Sequence, residues 1–494
     1  MQKKRVILNQ EGIILVTATS VVEGKIMKEG NDQKEIFNPS HLEQTVGKLS
    51  FSPKEVIGEA EKAAHAAQKE WAVKTGQQKS QILYKIADEI TDHAEEIAAL
   101  ASKEMGKPIT EMKGEVQRAV QLFKYYAAEG VRPDGDTIPS SAPDVLQYAK
   151  RVPLGVVGVI TPWNFPVAIP VWKIAPAIIC GNAVIWKPAE NSTLTAFKMM
   201  EIFKKAELPD GLVNLVIGKG REVGQQLMDK AAINGLSFTG STEVGSKVAE
   251  TCASRNIKFQ TEMGGKNSAI VLKDADVEKT ASVLLSGALR SAGQKCTATS
   301  RIIVEKEAME DLKEALRAEM ANIHMAPADD TKAYLGPVAS QEQYDKVSDY
   351  RRMAKKDGKV VAEGDQWNEE GYYISPLIVE DIDTNHALWK EEVFGPIIVL
   401  MPAQDVKEAV AMCNDTVFGL SASVFTNNLS EAHYFLDYTK AGMVRVNQET
   451  AGVEYQSPFG GMKASSSHTR EQGQAALDFY SETKTYAINY AWGQ

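Results

Sequence analysis

The sequence predicts an α/β protein built on two successive parallel sheets, and three observations carry that expectation. From Val156 onward, short β-branched runs alternate with helical segments, one run about every 25 residues, which is the spacing of βαβ units. These runs end in loops rich in Gly, Asn, Lys and Glu, and in open α/β sheets ligands bind outside the carboxyl ends of the strands. The chain of 494 residues is also long enough for two or three units, each with its own buried core.

Taken in order, Ser52-Pro53-Lys54-Glu55 reads as a helix start, with a capping Ser, Pro at the first helical position and Glu three residues after the cap. Val56, Ala60, Ala63, Ala64, Ala67 and Trp71 then recur at helical spacing. A second long helix carries Ile82, Leu83, Ile86, Ile90, Ile97 and Leu100, and should stop near Gly106-Lys107-Pro108. Residues 131–151 are rich in Pro, Ser and Asp and then alternate weakly, which suggests an arm or hairpin. Strands follow at 156–160, 183–187, 213–217, 236–238 and 258–262. Their following loops, Thr161 to Pro166, Lys187 to Glu190, Gly218 to Gly220, Gly240 to Gly245 and Glu262 itself, should meet at one crevice. After Gly265 the alternation repeats, with strands at 301–304, 374–379, 397–400, 421–425 and 443–446 and helices from Lys306 and Gln341.

Composition narrows the function. The net charge of −10 excludes a nucleic-acid or anionic-membrane partner, because the basic start Lys3-Lys4-Arg5 is too short to supply a patch. No run approaches the roughly 20 apolar residues of a membrane span, and the N-terminus lacks a signal peptide pattern. The four cysteines, Cys180, Cys252, Cys296 and Cys413, have neither zinc-site spacing nor the density of a disulfide framework, so no metal site is expected. Reduced thiols fit a cytoplasmic enzyme acting on a small molecule.

Two residues concentrate the chemistry. Glu262 closes a predicted strand, and Cys296 follows about one βα unit later. A cysteine is a strong nucleophile only as thiolate, and a thioester made by it needs a base to deliver water if it is to be hydrolysed. Alone, each is more simply a small buried hydrophobe and a solvated charge.

The motifs around them change that balance. Thr161-Pro162-Trp163-Asn164-Phe165-Pro166, Lys187-Pro188-Ala189-Glu190, Phe238-Thr239-Gly240-Ser241, Glu262-Met263-Gly264-Gly265-Lys266, Gly293-Gln294-Lys295-Cys296, Glu391-Glu392-Val393-Phe394-Gly395-Pro396 and Pro458-Phe459-Gly460-Gly461 stand in the order and spacing of the aldehyde dehydrogenase superfamily. The chain resembles that family from Glu35 onward. Within it, Gln260 to Asn267 and Ser465 to Gly473 are most similar to bacterial α-ketoglutaric semialdehyde (2,5-dioxopentanoate) dehydrogenases. The resemblance implies a Rossmann-type NAD(P)-binding domain from residues 1–132 and 153–263. It also implies an α/β catalytic domain over 264–463, with a small β oligomerisation arm and tail at 133–152 and 478–494, in a homodimer or homotetramer.

Carried over residue by residue, the resemblance makes Cys296 the nucleophile, Asn164 with the Cys296 backbone N–H the oxyanion donors, and Glu262 the base for deacylation. Lys173 and Glu471 match a pair that moves protons away from the base, although a structural salt bridge reads equally well. Thr161, Trp163, Lys187, Glu190, Gly220, Gly240, Ser241, Glu392 and Phe394 match cofactor positions. Gly240-Ser241 would open a helix toward the pyrophosphate, and a carboxylate at Glu190 would favour NAD over NADP, with NADP still possible. Phe165, Trp172 and Arg290 face the substrate by the same resemblance. Arg290 would hold a distal carboxylate, and Trp172 stands where succinic semialdehyde enzymes place a second Arg, which points to a five-carbon oxo-acid aldehyde.

The alternatives are a broad-specificity or long-chain aliphatic aldehyde dehydrogenase, a CoA-acylating enzyme, which would have little use for Glu262, and a silent paralogue, which would have lost Cys296, Asn164 or Glu262. Before Glu35 the sequence departs from the family's usual start, and a rearranged edge or a disordered arm is expected there.

Overall fold

A computed structural model describes residues 7–8, 14–367 and 370–492. The strands Val156–Thr161, Ala183–Pro188, Val213–Leu215, Gly235–Thr239 and Lys258–Glu262 form a parallel sheet. In space they run fifth, fourth, first, second, third in chain order, and two short strands, Val21–Val22 and Lys25–Ile26, extend the far edge antiparallel. Chain order therefore reverses direction on either side of Val156–Thr161, so the crevice opens at the end of that strand, where Thr161 pairs with Pro188. Ala183–Pro188 is buried along its whole length, as expected of a parallel strand covered by helices on both faces.

A second sheet, Lys359–Glu363, Leu377–Glu380, Ile397–Ala403, Thr299–Glu305, Asn267–Val271, Ser421–Phe425 and Met443–Val446 in spatial order, is parallel except at its first strand. The two sheets have separate hydrophobic cores. Ser481–Asn489 pairs antiparallel with Val145–Pro153, which pairs with Gly135–Ile138, giving a three-stranded arm.

Several elements differ from expectation for identifiable reasons. The first helix begins at Val56, not at Pro53, because Ser52 caps nothing: its hydroxyl pairs with Ser20 Oγ at 2.7 Å and its N–H with Ile217 O. The second expected helix is two, Gly76–Asp92 and Ala94–Met105, broken where His93 leaves helical geometry and turns its Nδ1 onto Glu89 O. Its stop is where expected, at Gly106, whose φ of +81° suits a glycine. The segment before Glu35 is a rearranged edge from Ile14 onward: Ile14–Ala18 pairs parallel with His41–Ser50, and Val21–Val22 joins the first sheet. Residues 1–6 and 9–13 lie outside the described residues. No described helix is long and apolar enough to cross a membrane.

Candidate active site

Cys296 lies half-buried on the loop before Thr299–Glu305, packed with Val453 against Leu420, Met443 and Phe459. Its carbonyl accepts a hydrogen bond from Asn267 Nδ2 at 2.8 Å. A Cβ on Gly265 would lie 2.7 Å from that carbonyl, so only glycine lets the two loops meet. Three positive-φ residues in a row, Ser291, Ala292 and Gly293, turn the chain toward the cysteine, and Glu111 on the helix Ile109–Glu129 ties down Ser291 at its N–H (2.9 Å) and hydroxyl (2.7 Å). Burial, then the charges of Glu392, Glu262 and Glu471, push the Cys296 thiol well above its ordinary range.

Asn164 is buried at the end of Val156–Thr161 and donates one amide hydrogen from Nδ2 to Gln294 O at 2.9 Å. That bond spans the two loops and leaves the second Nδ2 hydrogen for a ligand. The Asn164 backbone carbonyl accepts from Lys107 Nζ at 2.6 Å, and Lys107 also holds Glu115 at 2.6 Å and lies 3.7 Å over the Phe165 ring. Glu115 in turn accepts from the N–H groups of Val167 and Ala168 at 2.8 and 3.0 Å, which fixes the entry into the helix Ala168–Ile179.

Glu262 ends its strand with the carboxyl buried. Oε2 accepts from Ser466 Oγ at 2.6 Å, Ser466 accepts from Gly461 N–H at 2.6 Å, and Oε1 has no partner among the described residues. A Cβ on Gly460 would stand 2.9 Å from that oxygen. Burial, with the Glu471 charge second, raises its pKa well above the usual carboxylate range. Behind it, Lys173 and Glu471 form a buried ion pair, Trp172 Nε1 donates to Glu471 at 2.6 Å, and Lys173 donates to Ser237 Oγ at 2.8 Å. The Trp172 ring tilts against Phe459, 5.4 Å between centroids, so one face borders the Cys296 cluster while its N–H serves the ion pair.

The cofactor candidates also converge on the crevice. Thr161 Oγ1 accepts from Trp186 Nε1 at 2.9 Å. Trp163 meets Phe394 edge to face at 5.6 Å, and Phe394 is held at a φ of +59° with its carbonyl bonded to Gln343. Glu392 is raised in pKa by burial and accepts from Gly265 N–H at 3.0 Å. Ser241 caps the helix Thr242–Ser254 through Val244 N–H, leaving the amides of its first turn directed outward. A Cβ on Gly240 would meet the Phe238 ring at 2.6 Å. Lys187 is buried, its pKa lowered by desolvation, and Glu190 opens the turn beyond it. Between them and Gly220 lies an open recess of about 410 Å³ lined by Lys34, Phe51, Glu190, Lys219, Gly220 and Arg221. An open recess after the strand Ala183–Pro188, together with the helix-terminal amides that follow the strand Gly235–Thr239 of the same sheet, fits a dinucleotide.

Arg290 lies at the end of the helix Val277–Leu289. Its Nε donates to Ser286 Oγ at 3.2 Å and its guanidinium stacks 5.0 Å from the Tyr334 ring. Sequence reasoning missed Arg118 on Ile109–Glu129, which donates from Nη2 to Val453 O and Gln472 Oε1 while its buried Nε has no partner among the described residues. It also missed Lys107, Glu115 and Ser466. Asn267 and Ser466 sat inside quoted motifs, whereas Arg118 has no local signal: a charge on an amphipathic helix reads as solvated. Among the described residues no group of His, Cys, Asp or Glu is arranged to hold a metal ion.

The site therefore combines a cysteine, a buried carboxylate and an amide donor beside a dinucleotide crevice, the equipment of an oxidoreductase working through a covalent acyl intermediate. Residues 26–486 match the aldehyde dehydrogenase family, and the chain belongs to it: it is an enzyme that oxidises aldehydes with a nicotinamide cofactor. It is 44% identical to an alpha-ketoglutaric semialdehyde dehydrogenase of Bacillus subtilis over 96% of this chain and 98% of that one. It is 36% identical to a 2,5-dioxopentanoate dehydrogenase of Saccharolobus solfataricus, covering 93% and 97%. Among solved structures it superposes on a betaine aldehyde dehydrogenase of Staphylococcus aureus in complex with NAD+, with TM-score 0.92, 30% identity and 96% and 95% of the chains covered. For an NAD-dependent aldehyde dehydrogenase of Sinorhizobium meliloti the values are 0.93, 31%, 97% and 96%.

Proposed function

We propose that the chain oxidises α-ketoglutaric semialdehyde to its dicarboxylic acid, with Cys296 as nucleophile. The observation that supports the chemistry is the hydrogen bond from Asn164 Nδ2 to Gln294 O, which ties the Asn164 loop to the loop that carries Cys296; in this reading the remaining Asn164 amide hydrogen and the Cys296 backbone N–H are the oxyanion donors. The Cys296 sulfur adds to the aldehyde carbon, and the resulting oxyanion is held by those donors. The thiohemiacetal carbon then gives up its hydride, for which a nicotinamide dinucleotide held in the crevice would be the acceptor, and a thioester remains on Cys296. Glu262 then takes a proton from water as the water oxygen adds to the thioester carbon, and the Cys296 thiolate leaves. The raised pKa makes the Glu262 carboxylate a stronger base, and its Oε1, which has no partner among the described residues, is available to the water. Lys173 and Glu471 serve as the next station for that proton.

Thr161, Trp163, Lys187, Glu190, Gly220, Gly240, Ser241, Glu392 and Phe394 hold the cofactor in this reading, in a domain of residues 1–132 and 153–263. Residues 264–463 carry the nucleophile, and 133–152 with 478–494 join subunits into a dimer or tetramer. The four free cysteines fit residence in the cytoplasm.

The five-carbon acid is supported by the two relatives named above and by a cation beside the nucleophile: Arg118 is bonded to Val453, which packs with Cys296 on one cluster. Arg290, which contacts Ser286 and Tyr334, is the anchor the resemblance implies. The test compares wild type, Arg290→Ala and Arg118→Met on α-ketoglutaric semialdehyde and on an uncharged aldehyde of similar length. Loss of a charge-assisted hydrogen bond should cost the acid about 1.5–3 kcal/mol in kcat/KM and spare the neutral aldehyde. A wild-type preference for the neutral aldehyde would overturn the substrate, and would favour the broad-specificity alternative.

A further inference from the structure

The recess beside Gly220 is more basic than its lone carboxylate suggests. Glu190, which would repel a 2′-phosphate, is not free: Lys34, on the edge strand Gln33–Asn38, reaches across to its Oε2 at 2.8 Å. Lys219 lies on the same rim, 5.6 Å from the Phe51 ring centroid and paired with Asp32 at 2.5 Å. Arg221 completes the lining and makes no ion pair among the described residues. Lys187 is buried, with its Nζ bonded to Pro188 O at 3.1 Å, and is not part of the lining. Three cations, Lys34, Lys219 and Arg221, thus line the recess beside one carboxylate, Glu190, while Asp32 and Glu222 act on Lys219 from outside that lining. Both ion pairs are solvent-exposed, with Lys34 and Glu190 side chains 46% and 35% accessible. Exposed pairs contribute little to stability, so Lys34 can leave Glu190 at small cost and turn to another anion.

We propose that Lys34, at the rearranged N-terminal edge, is a specificity-determining residue for the cofactor: it neutralises Glu190 and, with Arg221 and Lys219, makes this recess accept a 2′-phosphorylated adenosine, so that the enzyme uses NADP as well as NAD. The inference rests on the cofactor assignment above. It reverses the weight placed on Glu190 alone, since a carboxylate already paired with an ammonium repels a phosphate far less than a bare one.

The experiment measures stabilisation of the full-length protein by 2′,5′-ADP and by ADP in thermal unfolding, for wild type, Lys34→Glu, Lys34→Arg and Glu190→Gln, with kcat/KM for NADP and NAD alongside. Wild type should be stabilised by both nucleotides. Lys34→Glu should weaken 2′,5′-ADP relative to ADP at least tenfold and lower the NADP-to-NAD ratio of kcat/KM to match. Lys34→Arg should keep the ratio and Glu190→Gln should raise it. An unchanged ratio in Lys34→Glu, equal losses for both nucleotides, or a wild type indifferent to 2′,5′-ADP would overturn the proposal. If neither nucleotide stabilised any variant and neither cofactor supported turnover, the cofactor site itself would be misassigned, a separate failure.

Discussion

At the scale of single residues, the site holds its nucleophile in check. Burial and three nearby carboxylates disfavour the Cys296 thiolate. Removing one negative charge should therefore lower the thiol pKa, and the pH midpoint of alkylation by iodoacetamide should move down in Glu392→Gln, with Cys296→Ala as the unreactive control. A midpoint that stays or rises would mean the carboxylate does not act on the sulfur. Cys296→Ala should abolish aldehyde oxidation and leave cofactor-induced thermal stabilisation in place, because the thiolate acts only in the covalent step. Glu262→Gln should release one burst of reduced cofactor per active site and then turn over slowly. Ser466 stabilises the Glu262 carboxylate by its hydrogen bond, a pKa-lowering contact. Activity that needs this carboxylate is lost as pH falls through its pKa, so Ser466→Ala should move the acid limb of the kcat profile to higher pH. A limb that moved to lower pH would contradict the contact.

At the scale of elements, the oxyanion loop is braced by the buried Lys107–Glu115 pair between the helices Ile109–Glu129 and Ala168–Ile179. Breaking a buried pair by removing one partner leaves an uncompensated charge. Lys107→Met should therefore lose about 3–5 kcal/mol in urea unfolding, and the double variant with Glu115→Leu should recover part of it. The loop itself should loosen in both, lowering kcat through Asn164. A single variant as stable as wild type would show that the pair is not what holds the loop.

At the scale of the whole molecule, the arm has an unfinished edge. Gly135–Ile138 is exposed throughout and pairs on one side only, with Val145–Pro153, while Tyr148 and Tyr486 stack at 4.7 Å to join the arm to the tail. An unpaired strand edge invites another chain, and closed symmetry is the usual outcome. Light scattering at micromolar concentration should give a dimer or tetramer, and truncation before Ser481 should shift it toward monomer. A monomeric full-length protein would leave the arm without that role.

What the sequence determined was whatever is written locally. Alternating β-branched runs placed the five parallel strands of the first sheet and five of the seven strands of the second, missing Lys359–Glu363, Asn267–Val271 and the short edge strands Val21–Val22 and Lys25–Ile26; the Gly and Pro punctuation stopped the second helical stretch at Gly106, and ordered motifs singled out Cys296, Glu262 and Asn164 as candidates. What it missed depends on distance in space. Ser52 looked like a helix cap because its competitor, Ser20, is 32 residues away. The break at His93 went unread because apolar spacing continues across it. Arg118 on its helix and Lys34 on its strand carry no local signal beyond a solvated charge, and Lys107 stood only in the Gly106-Lys107-Pro108 punctuation. Only the packing brings Arg118 to Val453, Lys107 to the Asn164 carbonyl and Lys34 to Glu190, because a charge takes its meaning from the groups that desolvate or face it, and those come from remote parts of the chain.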